Sequence, residues 1–184
     1  MSDPKSKGSA RDSILDAAEA LVNRLGAAHL TLDAVAQQAA VSKGGLLYHF
    51  PSKDALLEAM VARQLAQFEE DQAGCLKGDP DDPTARLLAF VHASLNDGEE
   101  DRRLGAALLA AVANKPELLE PARGMNRELS AGFVRNPLGH AGASVVWLAT
   151  LGLWFLEVLQ VSPFAADQRQ AITDRILAMA QGAS

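Results

Sequence analysis

Apolar residues recur at helical spacing along almost the whole chain, and runs alternating apolar with polar residues are missing. Ile14, Leu15, Ala18, Leu21, Val22 and Leu25 form the first stripe. Ser9 with Asp12 supplies a capping pair at its start, and Gly26 suits its end. Thr31 can cap a short second helix whose inward side is Leu32, Val35, Ala36 and Ala39. Ser42 can cap a third, from about Lys43 to His49. Pro51-Ser52 then breaks the chain and opens a long fourth helix bearing Leu56, Leu57, Met60, Val61, Leu65 and Phe68.

A polar joint follows, with Gly74, Gly78, Asp79, Pro80, Asp81, Asp82 and Pro83 in residues 70–83. Beyond it the spacing predicts helices near 84–95, 101–113, 116–134, 138–160 and 165–181. Lys115-Pro116, Asn136-Pro137 and Ser162-Pro163 act as breakers between them. The segment 138–159 is apolar around most of its circumference, which predicts a helix covered on both sides. Ala141, Gly142, Ala143, Ala149 and Gly152 would let another helix come near, and the last pattern, with Ile172, Ile176, Leu177 and Met179, could be its partner. The uncharged run from Ala141 to Leu156 falls short of the roughly twenty residues a membrane span needs, so no membrane is expected.

The chain of 184 residues is 48% hydrophobic and 22% charged, ordinary values for a globular protein with room for a real core. A single cysteine, Cys75, excludes an internal disulfide and any multi-cysteine metal cluster within one chain. With a polar start from Met1 to Ala10, this points to the cytoplasm.

The net charge of −6 argues at first against a polyanionic partner, but its distribution changes the picture. Up to Arg63 there are seven Lys/Arg (5, 7, 11, 24, 43, 53, 63) and seven Asp/Glu (3, 12, 16, 19, 33, 54, 58). The excess acid therefore lies beyond Arg63, with ten of the 17 basic and sixteen of the 23 acidic residues. Between Ala34 and Lys53 there is no acidic side chain, while Lys43, His49 and Lys53 are present, so a polyanion can approach locally.

Three short helices with a tight turn between the second and third make a helix-turn-helix, whose third helix enters the DNA major groove. Val35, Ala36, Ala39, Val41, Leu46 and Phe50 are spaced to fill its small core. Ala40 stands in the turn where glycine is usual. Lys43, Gly44 and Gly45 fall where bases would be met. Two glycines early in a helix cost about 1 kcal/mol each against alanine, which either close approach to DNA or a frayed first turn would explain. Tyr48 offers a ring for a thymine methyl and a hydroxyl for a phosphate, and His49 and Lys53 lie beside a helix start that attracts phosphate.

The string VSKGGLLYHFPSKDALL, preceded by TLDAVAQQAA, resembles the DNA-binding domain of the TetR family of bacterial transcriptional regulators, over residues 10–60. The resemblance implies an all-α fold. An amino-terminal three-helix helix-turn-helix domain would be joined by a long fourth helix to a helical ligand-binding and dimerisation domain. In ranges, 1–9 would be a flexible arm, 10–56 the DNA-binding domain and 57–184 the second domain. By the same resemblance Lys43, Gly44, Gly45, Leu47 and Tyr48 would face bases, while Thr31, Ser42, Tyr48, His49 and Lys53 would hold phosphates. Many family members carry tyrosine where this chain has Leu47.

The implied function is that of a ligand-responsive regulator, a repressor that binds a palindromic double-stranded operator as a homodimer through 138–160 and 165–181. A largely apolar small-molecule effector would sit among Phe90, His92, Leu108, Met125, Asn126, Leu129, Phe133, Trp147 and Trp154. No cofactor or metal is expected. An enzyme is the weaker rival, since no HExxH, no carboxylate pair beside a histidine and no phosphate loop after a strand is present. The other rival is a helical module whose basic strip meets an acidic protein.

Overall fold

The computed structural model describes residues 9–26, 29–96, 98–113 and 115–182. The expected arm at 1–9 thus lies, except for Ser9, outside the described residues. Every regular element among them is helical.

Helix α1 spans Ala10–Leu25 and opens with the reciprocal cap that the sequence predicts. Asp12 N–H donates to Ser9 Oγ at 3.2 Å, while the Asp12 carboxylate accepts from Ser9 N at 3.2 Å and from Ser9 Oγ at 2.7 Å. The bond from the Ser9 hydroxyl holds the Asp12 carboxyl below the usual carboxylate range. Gly26 ends the helix at φ 81°, in the left-handed region that glycine adopts freely.

Helix α2 (Leu32–Gln38) is capped by Thr31, whose Oγ1 accepts from Ala34 N at 3.2 Å. Helix α3 (Lys43–His49) is capped by Ser42, whose Oγ accepts from Gly45 N at 3.0 Å. Ala40, between them, is held at φ 53°. The turn therefore keeps the left-handed conformation that glycine usually supplies, at the expense of crowding around the alanine Cβ.

Helix α4 spans Lys53–Cys75. Ser52 Oγ accepts from Ala55 N at 3.0 Å at its start. Two compact units divide the chain inside this helix. One comprises the chain up to Arg63 with Arg103–Leu119, the other Gln64–Arg102 with Glu120 onward. The polar stretch at 78–82 is the connection between α4 and α5, within the second unit.

In the first unit α1 packs on α2 and α3. Ile14, Leu15, Ala18, Val35, Leu46 and Phe50 are buried there, as are Leu56 and Met60 at the start of α4. Arg63 on α4 reaches back to α1, with Nη2 2.5 Å from Asp16 Oδ1 and Nε 3.6 Å from Glu19 Oε1. Partial burial works against the Arg63 charge, but its hydrogen bond to Asp16 and the Glu19 charge prevail and raise its pKa.

The second unit is built on α5 (Pro83–Leu95), α8 (Gly139–Val158) and α9 (Ala166–Ala180), which pack on one another. Leu87, Val91, Leu95, Phe133, Val146, Leu153 and Ile176 share its core. Buried Asn136 joins two helix starts: its Nδ2 donates to Pro83 O at 3.2 Å and its Oδ1 accepts from Leu138 N at 3.0 Å. Helix α6 covers Glu99–Val112.

The single helix expected over 116–134 is three pieces: a 3-10 turn at Pro116–Leu119, α7 at Glu120–Gly132 and a second 3-10 turn at Phe133–Arg135. Pro121 explains the break. Inside one continuous helix it would leave the Glu117 carbonyl without its donor; as the second residue of α7 its missing N–H is harmless.

Helix α8 also departs from expectation. At 20 residues it is long and apolar enough, by length and composition, to cross a membrane, which the shorter uncharged run did not suggest. One face, with Ala143, Val146, Thr150, Leu153 and Val158, is buried in its own unit. Thr150 Oγ1 donates to Val146 O at 2.9 Å, so the buried hydroxyl is satisfied within the helix. The opposite face leaves Val145, Leu148, Phe155 and Leu159 exposed, so within one chain the helix is covered on one side only. The small residues divide accordingly. Ala143 is in the core, a Cβ on Gly142 would lie 2.9 Å from Leu138 Cβ in the preceding turn, and Ala141, Ala149 and Gly152 are exposed.

Candidate nucleic-acid interface

Helix α3 is anchored by burial of Leu46 within it and of Phe50 just after it. The Arg11 guanidinium lies 5.2 Å from the centroid of the Phe50 ring, joining the start of α1 to the end of α3. That anchoring turns Lys43, Gly44, Leu47 and Tyr48 to solvent, and Tyr48 is 85% exposed. A tyrosine ring left so open takes no part in the core. The Tyr48 and His49 rings meet edge to face, with centroids 5.1 Å apart.

The two glycines differ. A Cβ on Gly45 would approach Ser42 Oγ to 3.3 Å, so Gly45 leaves room for the helix cap. A Cβ on Gly44 would find only Ser42 Oγ, at 4.0 Å, so nothing inside the protein requires glycine there. The first turn that holds Gly44 is capped by Ser42.

Thr31 and Ser42 use their side-chain oxygens as acceptors for Ala34 and Gly45 N–H, which leaves each hydroxyl proton available to a phosphate oxygen. Lys53 is the first residue of α4 and half-buried. Its neighbour Asp54 is ion-paired with Lys115, from the segment after α6. Lys43, by contrast, has a partner that sequence spacing does not reveal. Its Nζ lies 2.8 Å from Asp33 Oδ1 and 3.1 Å from Asp33 Oδ2, across the turn on α2. Asp33, Arg11 and Lys115 are therefore additions to the residues expected here.

Of the nine residues expected to line one effector pocket, Leu129 and Phe133 line a common cleft. Leu108 belongs to the first unit and the other eight to the second. Phe90 is buried and meets Phe68 edge to face at 5.6 Å, and His92 beside it is half-buried. Phe133 and Trp147 are neighbours at 6.2 Å, with Leu129 packed on the same core. Met125 and Asn126 lie on α7, which buries no residue, and half-buried Trp154 has the Phe155 ring 5.0 Å away. Both Phe90 and Phe133 are buried. The cleft beside Leu129 and Phe133 holds about 20 Å³, room for a single water.

A larger open cleft of about 680 Å³ is lined by Leu95, Asn96, Arg102, Glu157, Phe164 and Arg169, among others, and by none of the nine. Its charges are engaged with one another. Glu157 takes Arg169 through two hydrogen bonds, one of them from Nη2 at 3.1 Å, and Arg169 Nη2 also donates to Leu95 O at 2.9 Å. The Glu157 carboxylate raises the Arg169 pKa. One polar group among the expected nine stands apart: the Trp147 Nε1–H is buried and has no acceptor.

Comparison with known proteins agrees with this arrangement. Residues 14–60 match the family described as bacterial regulatory proteins, tetR family. Residues 84–181 match the tetracyclin repressor-like, C-terminal domain. The HTH-type transcriptional regulator BetI of Paraburkholderia phytofirmans is 30% identical over 165 residues, which cover 84% of this chain and 84% of that protein. BetI of Cronobacter sakazakii is 29% identical over 178 residues, covering 91% and 88%. A TetR transcription regulator from Haloarcula marismortui has the same fold, with a TM-score of 0.72 at 19% identity over 94% of this chain and 97% of that one.

Proposed function

This chain belongs to the TetR family of bacterial regulatory proteins, and on that premise we propose that it is a homodimeric repressor released from its operator by a small, largely apolar effector. It is a helix-turn-helix transcriptional regulator, from a family that binds DNA and small-molecule effectors and is not a family of enzymes. Its working place is the cytoplasm.

The observation that carries the proposal is the outward row of α3, where Lys43, Gly44, Leu47 and Tyr48 face solvent above the buried pair Leu46 and Phe50. In a major groove these side chains would meet base edges, while Thr31, Ser42, His49 and Lys53 would hold phosphates on either side. The exposed stripe of Val145, Leu148, Phe155 and Leu159 on α8 supports pairing with a second copy through 138–160 and 165–181. Two copies of α3 would then enter successive major grooves about 34–36 Å apart on a near-palindromic site. The match of residues 84–181 to a repressor-like domain supports repression.

The effector would bind in the second unit, where the Trp147 indole N–H awaits an acceptor. Helices α4 and α6 each run from one unit into the other, so a ligand-induced displacement has a covalent route to Lys53. A 100-fold loss of DNA affinity needs about 2.7 kcal/mol of difference in effector binding between the two forms.

The test is binding of the purified protein to DNA upstream of its own gene, with and without metabolite extracts. Retention on a specific duplex, released by an extract fraction, is the expected outcome. Lys53→Ala should weaken binding to all sequences alike and flatten the salt dependence by about one unit. A protein that stays single at micromolar concentration and ignores every duplex at low salt refutes the proposal.

A further inference from the structure

The carboxylate that faces Lys43 is out of place on a surface meant for a polyanion. Asp33 is the sole acidic residue between Thr31 and Lys53, and the pair is open to solvent, with side chains 59% (Lys43) and 72% (Asp33) exposed. An ion pair so exposed contributes little to stability. In the first turn of α2 Asp33 also meets the positive helix end, a role it could fill without touching Lys43. Near DNA its charge opposes phosphate, and non-specific affinity is almost wholly electrostatic.

We propose that Asp33 sets the discrimination between operator and other DNA by holding the Lys43 ammonium off the phosphate backbone and leaving it to read a base edge. The inference rests on the reading that α3 lies in the major groove. A lysine ammonium has three N–H donors. With Nζ 2.8 and 3.1 Å from the two Asp33 oxygens, part of that capacity is already directed into the protein. An untethered lysine pairs with the nearest phosphate on any sequence. A tethered one keeps its remaining donor capacity for an acceptor lying in its path, such as guanine O6 or N7. Gly44 and Gly45 follow at once and put no side chain in the way. Asp33 thus acts as a specificity-determining residue through Lys43 and needs no contact of its own with a base.

The experiment uses the full chain and its Asp33→Asn and Asp33→Ala variants. Each is titrated against a duplex chosen by the wild type from a randomised pool, and against a random duplex of equal length, between about 50 and 200 mM salt. Both variants should bind the random duplex about fivefold tighter, with a slope of log affinity against log salt steeper by about one. Affinity for the chosen duplex should change less than about threefold, so discrimination falls by several-fold. In a Lys43→Ala background the same substitutions should leave random-DNA affinity within about twofold, because the tethered group is gone. Unchanged affinity and slope on random DNA overturn the inference, as does an equal gain in the Lys43→Ala background, which would make Asp33 a distant charge. Absence of any duplex binding by the wild type overturns instead the reading beneath it.

Discussion

Lys115 and Asp54 stand 61 residues apart in the chain and are joined by an ion pair on the surface of the first unit. Asp54 is the neighbour of Lys53 in the first turn of α4, and Lys115 belongs to the segment that trails α6. The start of α4 and the segment after α6 are thus joined beside the expected phosphate-holding lysine. The pair is half-exposed, so its strength is that of a surface contact, about 0–1 kcal/mol. Asp54→Ala, Lys115→Ala and the double variant should show a coupling energy of about 0.2–1 kcal/mol in urea unfolding. Strict additivity would mean that the two side chains do not meet in solution.

Gly44→Ala separates stability from recognition. With no protein atom closer than 4.0 Å to the added methyl, the variant should gain about 1 kcal/mol of stability from helix propensity. The same methyl would stand on the face proposed to meet DNA, and affinity for the operator should fall by about tenfold. A raised melting temperature with unaltered operator affinity would show that DNA does not come close at this position.

Ala40→Gly is expected to stabilise the protein, against the usual direction of such a change. At φ 53° the alanine bears a steric penalty of about 1–2 kcal/mol, which exceeds the extra chain entropy that glycine brings to the unfolded state. The gain should be about 0.5–1 kcal/mol in chemical unfolding, with DNA affinity retained. A loss of stability would place Ala40 in a different backbone conformation.

Acid should weaken the start of α1. Because the Ser9 hydroxyl lowers the folded Asp12 pKa, the contribution of this cap is complete above the unfolded value, near pH 4, and is lost as pH falls through the folded one. The stability difference between wild type and Asp12→Asn should therefore be largest above about pH 5 and close toward pH 2. A difference independent of pH would mean that the carboxylate charge has no part in the cap.

What the sequence made legible was local. Ser9, Thr31, Ser42 and Ser52 act on N–H groups three residues ahead, a spacing visible in the chain itself, and the starts of α1 to α4 follow from them. The exposed row of α3 follows likewise from Leu46 and Phe50 turning inward. Partners fixed by packing were hidden. Asp33 meets Lys43 across ten residues and Asp16 meets Arg63 across 47, distances over which periodicity carries no signal. The proposed effector pocket was hardest to read, because Phe90 and Phe133 have the same residue type and spacing whether they line a cavity or fill a core. Pro121 shows the reverse case, a local signal that was present but outweighed by the longer apolar pattern around it.

Pairing through the outward stripe of α8 would tie the survival of this chain to its abundance. If a second copy covers Val145, Leu148, Phe155 and Leu159, the folded state gains stability by mass action, rising with the logarithm of the partner's concentration. In a cell holding few copies those side chains would face water, and proteases would find the chain open more often. Dosage would then act as a threshold: below it the regulator is cleared, and above it each new copy protects one already made.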